Sequence, residues 1–161
     1  MDEALLKTYY ESPCGPMEIC ASDKGITSVL FVNKMLAKQQ GSDVLTDCVI
    51  QLDEYFRKKR TVFAIPLDLR GTNFQRSVWD ELLNIPFGKT ISYLKLATTL
   101  GDKKSIRAVG GANGKNPVSI IIPCHRVIGA NGDLVGYSGG MDKKRWLLAH
   151  EGSLVQQELF L

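Results

Sequence analysis

Apolar residues in the first third of the chain fall into three strand-like runs, Leu6–Glu11, Met17–Ala21 and Ile26–Val32. Ser12-Pro13-Cys14-Gly15-Pro16 and Ser22-Asp23-Lys24-Gly25 separate them, and both are turn chemistry, so the pattern predicts a meander. The spacing then changes. Leu45, Cys48, Val49, Leu52 and Phe56 recur every three or four residues, as on one face of an amphipathic helix, which is expected to end in Arg57-Lys58-Lys59-Arg60. Cations at a helix C-terminus are favoured by its dipole, which accounts for that run; contact with nucleic acid is the second reading. Thr61–Leu69 is expected to be a short strand interrupted by Pro66, and a domain boundary is placed at Arg70/Gly71, dividing residues 1–70 from 71–161.

Beyond the boundary the pattern is helical. Thr72 and Gln75 have capping-box spacing, and Phe74, Val78, Leu82 and Ile85 continue a helix expected from Asn73 to Asn84. Ser92 is placed to cap a second helix carrying Leu96, Ala97 and Leu100, with Gly101 in the stop position. Asp102-Lys103-Lys104 makes a polar turn before a third helix that begins near Ser105 and runs through Asn113, giving a helix-turn-helix candidate. Gly110 and Gly111 lie inside that third helix, where each glycine costs about 1 kcal/mol relative to alanine. Something must therefore approach the backbone closely. A neighbouring helix is the first reading, and a nucleic-acid groove beside Arg107 the second.

The chain has 161 residues, 44% of them hydrophobic and 23% charged, the composition of an ordinary globular protein of one domain or two small ones. No apolar stretch approaches the roughly 20 residues of a membrane span. The acidic start, Met1-Asp2-Glu3-Ala4, does not fit a signal or transit peptide, so an intracellular protein is expected, cytoplasmic or, in a eukaryote, nuclear. Its four cysteines are then expected to be reduced thiols. Residues 1–70 carry 9 Lys+Arg against 10 Asp+Glu, net −1, and residues 71–161 carry 11 against 7, net +4. A mild basic excess of this kind suits either a phosphate backbone or a solvated surface.

One cysteine stands apart. Val118-Ser119-Ile120-Ile121-Ile122 is expected to be a buried strand that Pro123 ends, leaving Cys124 just beyond an apolar element. Cys124 is flanked by His125, one of two histidines, and by Arg126, a setting that favours the nucleophilic thiolate. Cys14, Cys20 and Cys48 have no such neighbours and are read as small buried hydrophobes. In Trp146-Leu147-Leu148-Ala149-His150-Glu151-Gly152, Trp146, Leu147 and His150 are read as packing. Glu151 is poorly placed for the helix dipole and should have a specific partner, with the imidazole of His125 the candidate. Sequence alone does not close a Cys–His–Glu triangle.

Five ordered blocks carry a resemblance: Arg107-Ala108-Val109-Gly110-Gly111-Ala112, Asn116-Pro117, Pro123-Cys124-His125-Arg126-Val127, Tyr137-Ser138-Gly139-Gly140 and Leu148-Ala149-His150-Glu151-Gly152. From Phe74 to Gly152 the chain resembles the O6-alkylguanine-DNA alkyltransferases; before Phe74 the similarity is weak. The resemblance implies an α+β fold, with a small N-terminal α/β domain of ribonuclease-H-like form and a mainly helical C-terminal domain bearing a winged helix-turn-helix. It implies DNA repair by irreversible, single-turnover transfer of a methyl or other alkyl group from guanine O6 to Cys124, with thymine O4 a further candidate substrate. His125 would act as base through a water, Glu151 would orient it, Asn116 would support the hydrogen-bond network, and Tyr93 would give a proton to the departing base. Val127, Tyr137 and Ser138 would form the substrate pocket. Tyr93, Leu94, Arg107, Ala108 and Gly111 would meet DNA through the minor groove as a monomer, with Arg107 filling the place of the everted base. This reverses the order of the two explanations for Gly110 and Gly111.

The resemblance implies no cofactor, no diffusible methyl donor and no catalytic metal. Some family members carry an N-terminal zinc site, but here no histidine precedes His125 and Cys14 and Cys20 are too few ligands, so no structural zinc is expected. Val135 stands where some members have glycine, which is expected to narrow the pocket against bulky adducts. Three rivals remain at this point: an alkyltransferase-like protein that binds the lesion without an acceptor cysteine, an unrelated Cys-His hydrolase, and a helix-turn-helix regulator. Cys124 argues against the first.

Overall fold

Turn chemistry folds the first strands onto one another in the computed structural model, which describes residues 5–36 and 41–154. β1 (Leu6–Ser12) pairs antiparallel with β2 (Gly15–Ala21), and β2 with β3 (Ile26–Phe31), in the order β1-β2-β3. The first turn closes with Ser12 paired to Gly15, and the Ser12 hydroxyl accepts from the Cys14 N–H and donates to the Gly15 carbonyl. α1 (Asp43–Phe56) is capped by Ser42, whose hydroxyl accepts from the Leu45 N–H. Its buried face presents Leu45, Cys48 and Leu52, while the sheet contributes Met17, Ile19, Ile26 and Val29, all 1% exposed or less. This is the core of the first of two compact units, which runs to Arg70 and also takes in Pro117–Ser119.

Several local expectations need correction in this unit. α1 stops at Phe56, before the basic run, because Lys58 adopts a φ of +62° that no helix continues through. Arg57 pairs with Asp53 and Arg60 with Glu54, so half of that run is committed within the unit. Thr61–Leu69 forms no strand. Pro66 has no N–H for a ladder, and the segment is tied to β3 through the Ile26 N–H to the Pro66 carbonyl and the Asp68 N–H to the Ile26 carbonyl. Nor is Val118–Ile122 one strand. Val118 bridges Val29 in parallel, and the chain then turns at Ile120, whose φ is +73°. Such a conformation is a genuine outlier for a β-branched residue, held here by complete burial of the side chain.

The second unit comprises Gly71–Asn116 and the chain from Ile120. α2 (Asn73–Leu82) opens on the full capping box of Thr72 and Gln75 and ends two residues earlier than expected. Its Trp79 is 2% exposed and donates from Nε1 to the Ala112 carbonyl at 2.9 Å, fastening α2 to the helix that carries Ala112. β4 (Ile91–Ser92) leads into α3 (Tyr93–Thr99), where the Ser92 hydroxyl accepts from the Lys95 N–H as cap. Gly101, at φ +102°, reverses the chain into a 3-10 turn, Lys103–Ser105, and α4 (Ile106–Gly114) follows. α3 and α4 pack together as the helix-turn-helix. β5 (Val127–Ile128) pairs in parallel with β4, and α5 (Met141–His150) closes the unit. Among the described residues no helix is long and apolar enough to cross a membrane.

Candidate active site

The turn at Ile120 delivers Pro123 and then a 3-10 turn, Cys124–Arg126, so three consecutive side chains diverge from one short segment. Cys124 is 4% exposed and lines a cavity of about 100 Å3 with Tyr93, Gly110, Asn113, Gly136, Tyr137 and Ser138. Burial pushes its thiol above the ordinary range, opposed by the Asn116 side chain and the charge of Lys144. The resting sulfur is therefore a protonated thiol. This corrects the expectation that its neighbours favour the thiolate: Arg126 does not serve the sulfur at all. Its guanidinium donates to both oxygens of Glu151 and to the Ile85 carbonyl, and lies 5.8 Å from the centre of the Phe87 ring.

His125 and Glu151 meet. Nε2 of the wholly buried imidazole is 2.8 Å from Glu151 Oε2. Burial alone would raise the Glu151 carboxyl, but the hydrogen bonds from His125 and Arg126 and the charge of Arg126 outweigh it and hold the group well below the usual carboxylate range. Burial lowers His125, more than Glu151 raises it, so the imidazole is neutral at pH 7. A carboxylate can only accept, which puts the single proton of the neutral ring on Nε2 and leaves a lone pair on Nδ1. Nδ1 is buried and, among the described residues, has no hydrogen-bond partner. Asn116 is 4% exposed and donates from Nδ2 to the Ile122 carbonyl at 2.8 Å, bracing the segment that enters Cys124.

Not every expected pocket residue is where the sequence put it. Val127 is fully buried and offers its carbonyl to Lys144 rather than a wall to the cavity. Val135 is 45% exposed and does not line the cavity; its carbonyl accepts from the Tyr93 hydroxyl at 3.1 Å, and this side of the cavity wall is made by Gly136, Tyr137 and Ser138. Its side chain therefore does not narrow the cavity. Burial raises the Tyr93 phenol, and proximity to Cys124 adds to this, so Tyr93 keeps its proton.

The exposed face of the helix-turn-helix adjoins this cavity. Arg107, Ala108 and Gly111 on α4 are exposed, and Leu94 on α3 is 45% exposed. Arg107 and Ile106 line an open concavity of about 350 Å3 with Tyr93 and Gly110, two residues that also line the cavity at Cys124. Among the described residues, a Cβ built on Gly111 would meet nothing within 4 Å, so no neighbouring helix among them demands that glycine.

Three contributors escaped the sequence reading: Asn113, whose amide donates to the Cys124 carbonyl at 3.4 Å, the Arg126 clamp on Glu151, and Lys144. Lys144 is fully buried and donates to the carbonyls of Val127, Val135 and Gly136. Burial lowers its amine to about 8. The signal for it was present, since Lys144, Leu147, Leu148 and Glu151 share one helical face and two of the four are apolar. Among the described residues, no three His, Cys, Asp or Glu side chains converge as a metal-binding group.

Fold and site together define a two-unit α+β protein whose helix-turn-helix unit encloses a buried cysteine beside a histidine–glutamate pair. Comparison with known proteins makes the assignment specific. Residues 73–153 match the 6-O-methylguanine DNA methyltransferase DNA binding domain, and residues 5–69 match the ribonuclease-like domain of the same family. A methylated-DNA–protein-cysteine methyltransferase of Mycobacterium leprae is 42% identical over 156 residues, covering 94% of each chain. One of the same name from Methanosarcina acetivorans is 41% identical over 153 residues, 89% of this chain and 96% of its own. A crystal structure of Mycobacterium tuberculosis OGT in complex with DNA superposes with a TM-score of 0.81 at 43% identity, covering 90% of this chain and 92% of that one. The chain belongs to the 6-O-methylguanine DNA methyltransferase family.

Proposed function

We propose that this protein repairs alkylated DNA by moving a methyl group from guanine O6 to the sulfur of Cys124, once per molecule. The observation that carries this reading is the cavity at Cys124, walled by Tyr93, Tyr137 and Ser138 and flanked by the exposed helix α4. Its relatives' names, and the DNA in the related crystal structure, support the substrate class.

The chemistry follows from the protonation states. A buried thiol is a poor nucleophile until a base removes its proton. Nδ1 of His125 offers the free lone pair, and a water between it and the sulfur would relay the proton, while Glu151 stabilises the imidazolium that forms. Sulfur then attacks the methyl carbon in line; the S–C bond forms, the C–O6 bond breaks, and its electron pair stays with the guanine. Tyr93 gives the departing base a proton, having released the Val135 carbonyl, and recovers one from His125. One proton leaves sulfur and one joins guanine, so the site ends at its starting charge. The thioether product offers water no leaving group, so the thiol is not regenerated.

Guanine O6 is hidden in the duplex stack, so the damaged nucleotide must be everted, which costs a few kcal/mol. α4 is the element proposed to enter the minor groove as part of a monomer. Ala108 and Gly111 keep its exposed face low against the sugar-phosphate walls, and Arg107 takes the vacated place in the stack.

The experiment is a transfer assay with an oligonucleotide duplex holding one labelled O6-methylguanine. Wild-type protein is expected to take up the label covalently, and Cys124→Ala to bind the same duplex with similar affinity and take up none. Covalent label on Cys124→Ala would reject the assignment.

A further inference from the structure

Lys144 is a fully buried ammonium whose three N–H donors all go to main-chain carbonyls: Val127 at 2.7 Å, Val135 at 3.0 Å and Gly136 at 3.1 Å. Burying an ammonium costs several kcal/mol, so a lysine here needs a reason that an apolar residue could not supply. The three acceptors supply one. Val127 lies in β5, paired to β4, and is a fixed point. Val135 and Gly136 belong to the segment 129–139, which has no helix or strand of its own. Its local bonds, from the Gly129 N–H to the Asp133 carbonyl and from the Gly140 N–H to the Tyr137 carbonyl, do not tie it to β5. Among the described residues, the hydrogen bonds from elsewhere in the unit to the carbonyls of 135 and 136 come from Lys144 and from the Tyr93 hydroxyl.

We propose that Lys144 is a positioning residue that clamps the cavity wall at Val135–Gly136 against β5 and so sets how far the wall stands from Cys124. It does not touch the substrate. Its bearing on repair rests on Cys124 being the alkyl acceptor; the clamp itself does not.

The cavity size explains why two ties are present. At about 100 Å3 it is smaller than the roughly 150 Å3 that holds benzene, and a purine is larger than benzene. The wall must therefore yield when a base arrives. Tyr93 lets go of Val135 to serve the base, and Lys144 keeps the displaced wall tethered so that it closes behind the product.

The test reads the sulfur directly. Full-length protein is treated with iodoacetamide at pH 7, and labelling of Cys124 is followed by peptide mass mapping across urea concentrations below the unfolding transition, which tryptophan fluorescence defines. Lys144→Met keeps the length of the side chain and removes every donor. It is expected to label at Cys124 about tenfold faster or more than wild type, at a rate that does not change with urea, as for a local opening that exposes little surface. Lys144→Gln, with two donors, should fall between the two, and serves if the methionine variant does not fold; Lys144→Arg should stay near wild type. Loss of charge alone would slow labelling, because the ammonium favours the ionised sulfur, so the expected sign cannot come from charge. An unchanged or slower rate, or an acceleration that climbs with urea as global unfolding does, overturns the proposal. DNA is absent from this readout, so a failure of methyl transfer leaves the clamp standing, and the reverse also holds.

Discussion

Replacing Glu151 by glutamine keeps the outline of the side chain and removes its charge. Both carboxylate oxygens are taken by donors: Oε1 accepts from Arg126 Nε at 2.8 Å, and Oε2 accepts from Arg126 Nη2 at 3.0 Å and from His125 Nε2 at 2.8 Å. An amide has one oxygen, and its nitrogen can only donate. Whichever way it flips, its N–H groups face an N–H of Arg126. With the oxygen towards Arg126 Nε, the amide nitrogen also faces His125 Nε2, and the imidazole is satisfied only by moving its proton to Nδ1. That is the atom proposed to take the proton of the thiol. Two magnitudes follow. Leaving the Arg126 guanidinium buried beside a neutral partner costs about 3–5 kcal/mol of stability. An imidazole held in the wrong tautomer has cost about 10⁴-fold in rate where an acid–base triad was altered in this way. The assay pairs urea unfolding, followed by tryptophan fluorescence, with the single-turnover rate of methyl transfer from duplex DNA, measured where the variant is folded. A variant that loses stability but transfers within about threefold of wild type would remove His125 as the base.

Arg107→Ala is expected to slow repair of duplex DNA by roughly tenfold or more while leaving reaction with free O6-methylguanine within about twofold, because extrusion is needed only in the duplex; an equal loss on both substrates would contradict the role of Arg107. Gly111→Ala should stabilise the second unit by up to about 1 kcal/mol, since the added methyl meets no atom of the described residues within 4 Å, and should weaken DNA binding by crowding the exposed face of α4; thermal unfolding and a binding titration read the two effects. Acidification should lower stability in two stages. Below about pH 6.5 the unfolded chain takes up a proton that buried His125 refuses. Below about pH 4.5 the unfolded carboxyl of Glu151 is protonated while the folded one, held lower, is not, and its contribution fades as pH falls further. Urea midpoints measured from pH 7 to 3 should show the lower stage reduced in Glu151→Gln.

Local signals in the sequence are legible where the chain itself supplies the partner. The Thr72–Gln75 capping box, the Ser92 cap and the Gly101 stop each satisfy backbone groups within a few residues, and each stands in the structure as its spacing predicts. The failures are positions where distant packing wins over propensity. Val118–Ile122 has the β-branched composition of a strand, yet the bridge from Val118 to Val29 and the burial of Ile120 force a turn that no local rule anticipates. Cys124, His125 and Glu151 were legible as residues, and the imidazole–carboxylate contact was the natural partner for a carboxylate at a helix end. The protonation of the thiol was not, because it depends on burial, which sequence adjacency does not reveal. The same holds for Arg126, which stands two residues from Cys124 in sequence but has Glu151 as its partner in space. Lys144 is not legible from its residue type, because a lysine on a helix ordinarily lies in solvent and only the convergence of three carbonyls gives it a place inside.

Intact-protein mass, taken after incubation with a large excess of duplex holding O6-methylguanine, weighs the product and counts turnovers at once. Each chain is expected to gain a single methyl in place of one hydrogen, mapping to the peptide that carries Cys124, while the guanine restored equals the protein added. More lesions repaired than chains present, or a methyl found on any other residue, would contradict a sulfur that accepts carbon once and keeps it.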